Sequence, residues 1–305
     1  MNLMGNTPRN TTEPAMESPD TPCRRRLHKI MAEAGVASRR GCEALIATGH
    51  VAVNGQPVTT LPTWVDPSID RVEVDGHVVA MPSRAARGKL YVIVHKPRNV
   101  VSTCRDPQGR RCVTDLVNLP GRLFPVGRLD AQSSGLILLT NDGMLSNHLA
   151  HPRYEVPKEY HVSVRGRVDE QNLKNLRHGI YLAHRQPPQK GQTTAVKRAS
   201  MAQVKLVGYS RDKSRGDRTN LSVKLREGQN REIRRMLARL GHKVRRLERV
   251  AIGPVTLKGL AVGQWRLLTS REVNMLHRTA GLETPTTGGH RSSTAKRRPS
   301  AQNGS

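Results

Sequence analysis

The stretch from Val126 to Gly143, VGRLDAQSSGLILLTNDG, sets one carboxylate, Asp130, after Arg128 and directly ahead of a loop of small and polar residues, Ala131 to Gly135. The segment that follows, Leu136-Ile137-Leu138-Leu139-Thr140, is apolar without alternation, as in a strand covered on both faces. A carboxylate at the mouth of a buried strand, beside a loop that lets a ligand approach closely, is placed to act as a nucleophile or a general base. The structural alternative is a salt bridge to Arg128 or an Asx-turn in the loop. Asp142 reads differently. It precedes Met144, Leu145, His148 and Leu149 at helical spacing and fits the N-cap of a helix over 143–150.

Two further stretches carry groups that could serve such a carboxylate. In EGQNREIRRMLARLG, Ile233, Met236, Leu237 and Leu240 share one helical face and Gly241 ends the helix. Arg231, Arg234, Arg235 and Arg239 supply cations for a carboxylate or for phosphates, or else form a solvated basic face. In KEYHVSV, alternation puts Tyr160, Val162 and Val164 on one face, so Tyr160 is either a core residue or an aromatic platform.

Elements able to hold these groups follow from periodicity. Strands are predicted at 90–94, 136–140, 159–165, 202–209, 219–225 and 264–268, and helices near 143–150, 169–177 and 230–240. Strands outnumber helices and do not alternate with them, which predicts an α+β domain on a mixed, largely antiparallel sheet flanked by helices. Ahead of it lies a smaller unit. Leu27, Ile30, Met31 and Ala34 follow helical spacing up to Gly35, Ser38 caps a second helix bearing Cys42, Leu45 and Ile46, and an Asn54-Gly55 turn forms a hairpin. The linker MPSRAARGK at 81–89 separates a unit spanning 24–82 from one spanning 83–282. Residues 1–23 and the basic end 283–305 lack the apolar content to fold and are expected to be disordered.

Composition narrows the partner. The 305 residues carry 51 Lys and Arg against 24 Asp and Glu, a net charge of +27. That excess exceeds what solubility requires and predicts a polyanion held through counterion release, nucleic acid first. No run of 18 apolar residues and no signal peptide appears, so a soluble, cytoplasmic protein without a membrane partner is expected. Cys23, Cys42, Cys104 and Cys112 lack zinc or redox spacing and are expected to be reduced. No phosphate-cradling Gly-x-x-x-x-Gly-Lys loop is present, and neither a metal nor a cofactor is expected.

The residues AGVASRR and LIATGHVAVNG resemble the alpha-L RNA-binding motif. The resemblance implies a helix pair presenting Lys29, Arg39 and Arg40 to a folded RNA backbone, although each could equally be a solvated surface charge. VGRLDAQSSGLILLTNDG resembles the catalytic signature of pseudouridine synthases of the small-subunit-type ribosomal RNA family. The likeness extends through Lys96 to Thr103, DPQGR, HPRYEVPKEYHV and EGQNREIRRML, and with the alpha-L unit covers roughly 25–280. GRLFPVGRLD and the closing RVAIGPVTLKGLAVGQWRLLT look closer to the large-subunit branch.

This resemblance implies an isomerase that detaches uracil from ribose, turns it and rejoins it through carbon. Asp130 is then the essential carboxylate, Arg234 its cation and Tyr160 the residue stacked on the flipped base, with Arg128 in support. Lys96, Arg231 and Arg235 are implied as RNA contacts. Asn99 replaces the family's usual glycine after Lys96-Pro97, and asparagine tolerates a left-handed turn. The implied partner is ribosomal RNA or a pre-ribosomal particle, met by a monomer. The rivals are a non-catalytic ribosome-assembly protein on the same fold, which has no need of Arg128, Asp130, Tyr160 and Arg234 together, and DNA binding by charge alone.

Overall fold

The computed structural model describes residues 24–80, 88–183, 196–211 and 216–284. Residues 1–23 and 285–305 of the predicted tails and 81–87 of the predicted linker lie outside the described residues. The chain forms two compact units that divide between Gly88 and Lys89.

The first unit runs β1 (Arg25–Arg26), α1 (Leu27–Ala34), α2 (Arg39–Ala47), β2 (Val51–Val53), β3 (Gln56–Pro57), β4 (Trp64–Val65), β5 (Val72–Val74) and β6 (His77–Val78). Gly35 ends α1 in a left-handed conformation (φ 93°), and the Ser38 hydroxyl accepts the Gly41 N–H at 2.9 Å to start α2. Asn54 and Gly55 both take positive φ and join β2 to β3, the two-residue turn that their sequence predicts. The strands order β3-β2-β5-β6, with β1 and β4 paired separately. Leu27, Ile30, Met31, Cys42, Ile46, Val51, Val65 and Val72 make the core.

The second unit runs β7 (Tyr91–Lys96), β8 (Phe124–Val126), β9 (Ser134–Thr140), α3 (Gly143–Ala150), β10 (Lys158–Arg165), α4 (Glu170–His178), β11 (Ile180–Ala183), β12 (Val196–Ala199), β13 (Gln203–Ser210), β14 (Arg218–Leu225), α5 (Glu232–Arg239), β15 (Val244–Ile252), β16 (Val255–Thr256), β17 (Trp265–Leu267) and α6 (Ser270–Thr279). One sheet has the order β13-β14-β10-β15-β9-β7-β17, with β8 beside β9 and β16 beside β15. Every pairing is antiparallel except β15 with β9. The mixed, largely antiparallel α+β expectation holds.

Cross-strand register defines the two faces. Lys96, Gly135, Arg249 and Tyr160 are Cα partners in turn across β7, β9, β15 and β10. Their face, here the front, carries two cores. One gathers Val92, Val94, Ile137 and Leu139 with Val100 and Val113. The other gathers Tyr160, Val162, Val164, Leu221 and Val223 with Leu173 of α4 and Ile233, Met236 and Leu237 of α5. Behind β7 and β9, Ile93, Leu136 and Leu138 pack on Leu145 of α3 and Leu276 of α6. β9 is thus buried on both sides, as its unalternating apolar run predicts.

The nine-residue central strand β15 is absent from the predicted set. Its charges, Arg245, Arg246, Glu248 and Arg249, break the apolar pattern, and the bulge opposite Ser163 and Val164 breaks the alternation. α6 was also missed, although Thr269 and Glu272 form a capping box that is readable ahead of Val273 and Leu276.

Candidate active site

The loop bearing Asp130 is strapped down on both sides. Ser102 Oγ donates to the Leu129 carbonyl at 2.9 Å and accepts the Leu129 N–H at 3.1 Å. The Asn99 N–H donates to Ala131 O at 2.6 Å, and the Ser133 N–H to Asp130 O at 2.9 Å. Asn99 adopts φ 66°, the left-handed turn expected of an asparagine replacing glycine. The Lys96–Thr103 stretch therefore acts as a brace for the carboxylate. Leu129 packs into the same front core as Tyr160, so the peptide preceding Asp130 is anchored against the tyrosine's cluster.

Gly135 sets where the loop enters the sheet. A Cβ there would stand 2.3 Å from the Arg249 carbonyl oxygen, and φ is 115°. Glycine alone meets both demands.

Two arginines at the start of α5 face Asp130. Arg231 Nη1 lies 3.0 Å from Oδ2 and donates a hydrogen bond, from a residue with left-handed backbone (φ 51°). Arg234 Nε lies 3.8 Å from the same oxygen, while its Nη2 donates to Ser133 Oγ at 3.2 Å. The shorter contact is not the stronger by that fact. The Arg231 side chain is 35% exposed and that of Arg234 11%. A fourfold lower effective dielectric, about 20 in place of 80, outweighs a separation longer by less than a third. Burial, with Arg231 and Arg98 nearby, presses the Arg234 guanidinium below its ordinary pKa, and Asp130 opposes them. Arg234 Nε is buried and makes no hydrogen bond, which leaves a donor oriented toward the carboxylate and any substrate on it.

The structure encloses one residue that the sequence placed against RNA and locates the others. Lys96, expected to contact RNA, is fully buried, and its ammonium donates to Pro97 O at 2.9 Å and Val100 O at 2.8 Å. Burial pushes its pKa down to about 8, with Asp130 raising it and Arg249 lowering it further. A cation enclosed in this way cannot reach a phosphate. It shapes the Pro97–Val100 turn and adds positive potential behind Asp130. Arg231, implied as an RNA contact, is paired with the Asp130 carboxylate and stays partly exposed. Arg235 is half-buried and donates to the Ala183 carbonyl. Arg128 is exposed, and among the described residues the ion-pair partners of Asp130 are Arg231 and Arg234. Tyr160 is 8% exposed, rooted in the front core beside Arg249 of β15. Asp142 does cap α3, accepting the Met144 and Leu145 N–H groups at 3.0 and 3.2 Å. In the first unit, Arg39 and Arg40 are exposed and Lys29 half-buried; among the described residues none of the three forms an ion pair.

Sequence reasoning overlooked Arg249. It is 3% exposed, Nε donates to Leu136 O at 2.7 Å, and Nη2 has no hydrogen-bond partner. Lys158 is buried close by, its pKa driven to about 8 by burial and then by Arg249. Neither signals itself in a chain so rich in basic residues.

Asp130 with Arg231 and Arg234, and the rooted Tyr160, thus belong to one α+β unit built on a mixed sheet. The family model of RNA pseudouridylate synthases matches residues 90–239, and that of the S4 domain residues 25–61. The chain is 41% identical over 260 residues to an uncharacterised RNA pseudouridine synthase of Aquifex aeolicus, covering 85% of this chain and 96% of that protein. It is 40% identical to ribosomal large subunit pseudouridine synthase B of Bacillus subtilis, covering 84% and 96%. A crystal structure of a pseudouridylate synthase superposes with TM-score 0.54 at 26% identity, over 82% of this chain and 99% of that one. The chain belongs to the RNA pseudouridine synthase family.

Proposed function

We propose that Asp130 is the catalytic carboxylate of a uridine isomerase acting on ribosomal RNA, in the large subunit's RNA or a pre-ribosomal particle containing it. The observation that carries this reading is the pairing of Asp130 with a largely shielded Arg234 whose buried Nε has no hydrogen-bond partner. The bond between uracil N1 and ribose C1′ breaks, the base turns within the site, ring C5 bonds to the same C1′, and C5 loses a proton to water while N1 gains one. Atoms are conserved, so no co-reactant is needed. Arg234, screened from water, holds the Asp130 carboxylate in orientation while substrate closes the site. Tyr160 supplies the surface against which the flipped base stacks, a contact worth roughly 1–3 kcal/mol. Lys29, Arg39 and Arg40 contact the RNA backbone from the S4 unit. The 40% identity to the Bacillus subtilis large-subunit enzyme favours the large-subunit substrate. The protein works as a monomer in the cytoplasm; among the described residues no helix is long and apolar enough to cross a membrane.

The test uses ribosomal RNA tritiated at uracil C5. Wild type releases tritium to water, and Asp130→Asn binds the RNA and releases none. Full activity in Asp130→Asn would remove the carboxylate from the mechanism, and a wild type inert on naked RNA and immature subunits alike would favour the assembly-protein alternative.

A further inference from the structure

Among the described residues, the reverse side of β10, β13 and β14 and of β15 up to Glu248 contributes to no apolar core, which β15 joins only at Ile252. On β10 the residues alternating with Tyr160, Val162 and Val164 are His161, Ser163 and Arg165, all exposed or half-buried. Ser163 has Asn220 and Arg246 as its Cα partners, and Arg165 has Arg218, which in turn pairs with Ser210. These side chains form one polar face. It is concave: Ser163, Ser210 and Asn220, with Arg98, Arg218, Arg245 and Arg246, line a cavity of ≈ 850 Å³.

Two features show how the cavity collects its charge. The bulge in β15 opposite Ser163 and Val164 inserts Arg245, so consecutive arginines reach the same cavity where strict alternation would send them to opposite faces. Arg98 comes from the turn that braces the Asp130 loop through Asn99, and it lies near enough to Arg234 to lower that guanidinium's pKa. Arg98 therefore sets a cation both beside the turn that braces the Asp130 loop and in the lining of the cavity. Among the described residues no acid lines the cavity. Glu248 nearby offsets part of Arg246 at 3.0 Å and is shared with His95, whereas among the described residues Arg98, Arg218 and Arg245 have no ion-pair partner. Three uncompensated guanidiniums around serine and asparagine side chains have the composition of a phosphodiester-binding surface.

We propose that this reverse-face cavity binds the sugar–phosphate backbone of the substrate RNA outside the segment that enters the Asp130 site, so that the RNA passes over Arg98 from one face of the sheet to the other. The inference rests on the reading of the substrate as structured RNA. It assigns Arg218, Arg245 and Arg246 an affinity role distinct from the chemistry.

The experiment compares wild type with Arg218→Glu/Arg245→Glu and the milder Arg218→Gln/Arg245→Gln in the full chain. Two RNAs are used: a long ribosomal fragment that wild type modifies, and its shortest truncation still modified. The glutamate variant is expected to bind the long RNA at least about tenfold more weakly, with the slope of log K against log salt reduced by about two. Its tritium-release kcat on saturating short RNA should match wild type, and the glutamine variant should fall between. Unchanged affinity and salt slope on the long RNA would overturn the proposal, as would equal losses on both RNAs in a variant that melts like wild type. Loss of binding to phosphatidylglycerol vesicles in place of RNA would also overturn it. Failure of wild type to bind and modify any ribosomal fragment would refute the substrate reading itself, which separates that failure from failure of the surface.

Discussion

Two groups of arginines within one sheet are put to opposite uses. At the start of α5, Arg231 and Arg234 converge on a single carboxylate, and the second is shielded from water. On the reverse face, Arg98, Arg218, Arg245 and Arg246 line a concavity to which no acid among the described residues contributes. The first arrangement concentrates field on one atom, where low dielectric makes each charge count. The second spreads charge over an area, where each contact is weak, solvent-screened and additive toward a polyanion. The same residue type thus serves orientation in one place and affinity in the other, and what separates them is burial and the presence of an acid.

The sharpest break in that comparison is chemical. Asp130→Asn should lower tritium release by about a thousandfold or more while leaving RNA affinity within about twofold, read by parallel kinetics and filter binding. Gly135→Ala should follow, destabilising by about 3 kcal/mol, because its Cβ would collide with the β15 backbone in a conformation that L-residues resist. Denaturant midpoints check it, and a wild-type midpoint would contradict the close approach of β9 to β15.

The two arginines of α5 can then be ranked. Arg234→Gln should cost about a hundredfold in kcat and Arg231→Gln about tenfold, if shielding outweighs distance. The reverse ranking would mean that the 3.0 Å contact governs. Tyr160→Leu should lose about ten- to a hundredfold in kcat/KM, matching one lost stack, with Tyr160→Phe near wild type.

The smallest expected effect concerns Lys96, whose pKa falls from 10.5 to about 8 in the fold. Between those values the unfolded chain holds the extra proton, so this group's contribution to stability rises with pH. Wild type should therefore gain about 1–3 kcal/mol relative to Lys96→Met between pH 7 and pH 10.5, read from denaturant melts at each pH. A pH-independent difference would place that ammonium in contact with water.

Local pattern made much of the fold readable. The double-sided burial of β9, the Ser38 and Asp142 caps, the Asn54-Gly55 hairpin and the left-handed Asn99 all follow from neighbouring residues, because each reflects sterics or hydrogen bonds within a few positions. The Asp130, Tyr160 and Arg234 segments stood out for the same reason, as motifs continuous in sequence. β15 was hidden because its pairing with β9 and β10 comes from distant parts of the chain and its bulge erases the period of two.

Lys96 marks the limit most clearly. Its motif was legible, but a lysine beside a proline carries no sign of being fully enclosed. Sequence alone determined the α+β class, the polyanionic partner implied by a charge of +27, and the carboxylate on which the proposed chemistry turns. Tertiary structure decided which cations stand beside Asp130, which are entombed and which face solvent, because burial and distance are set by strand order and register, and those quantities fix the dielectric in which each charge acts.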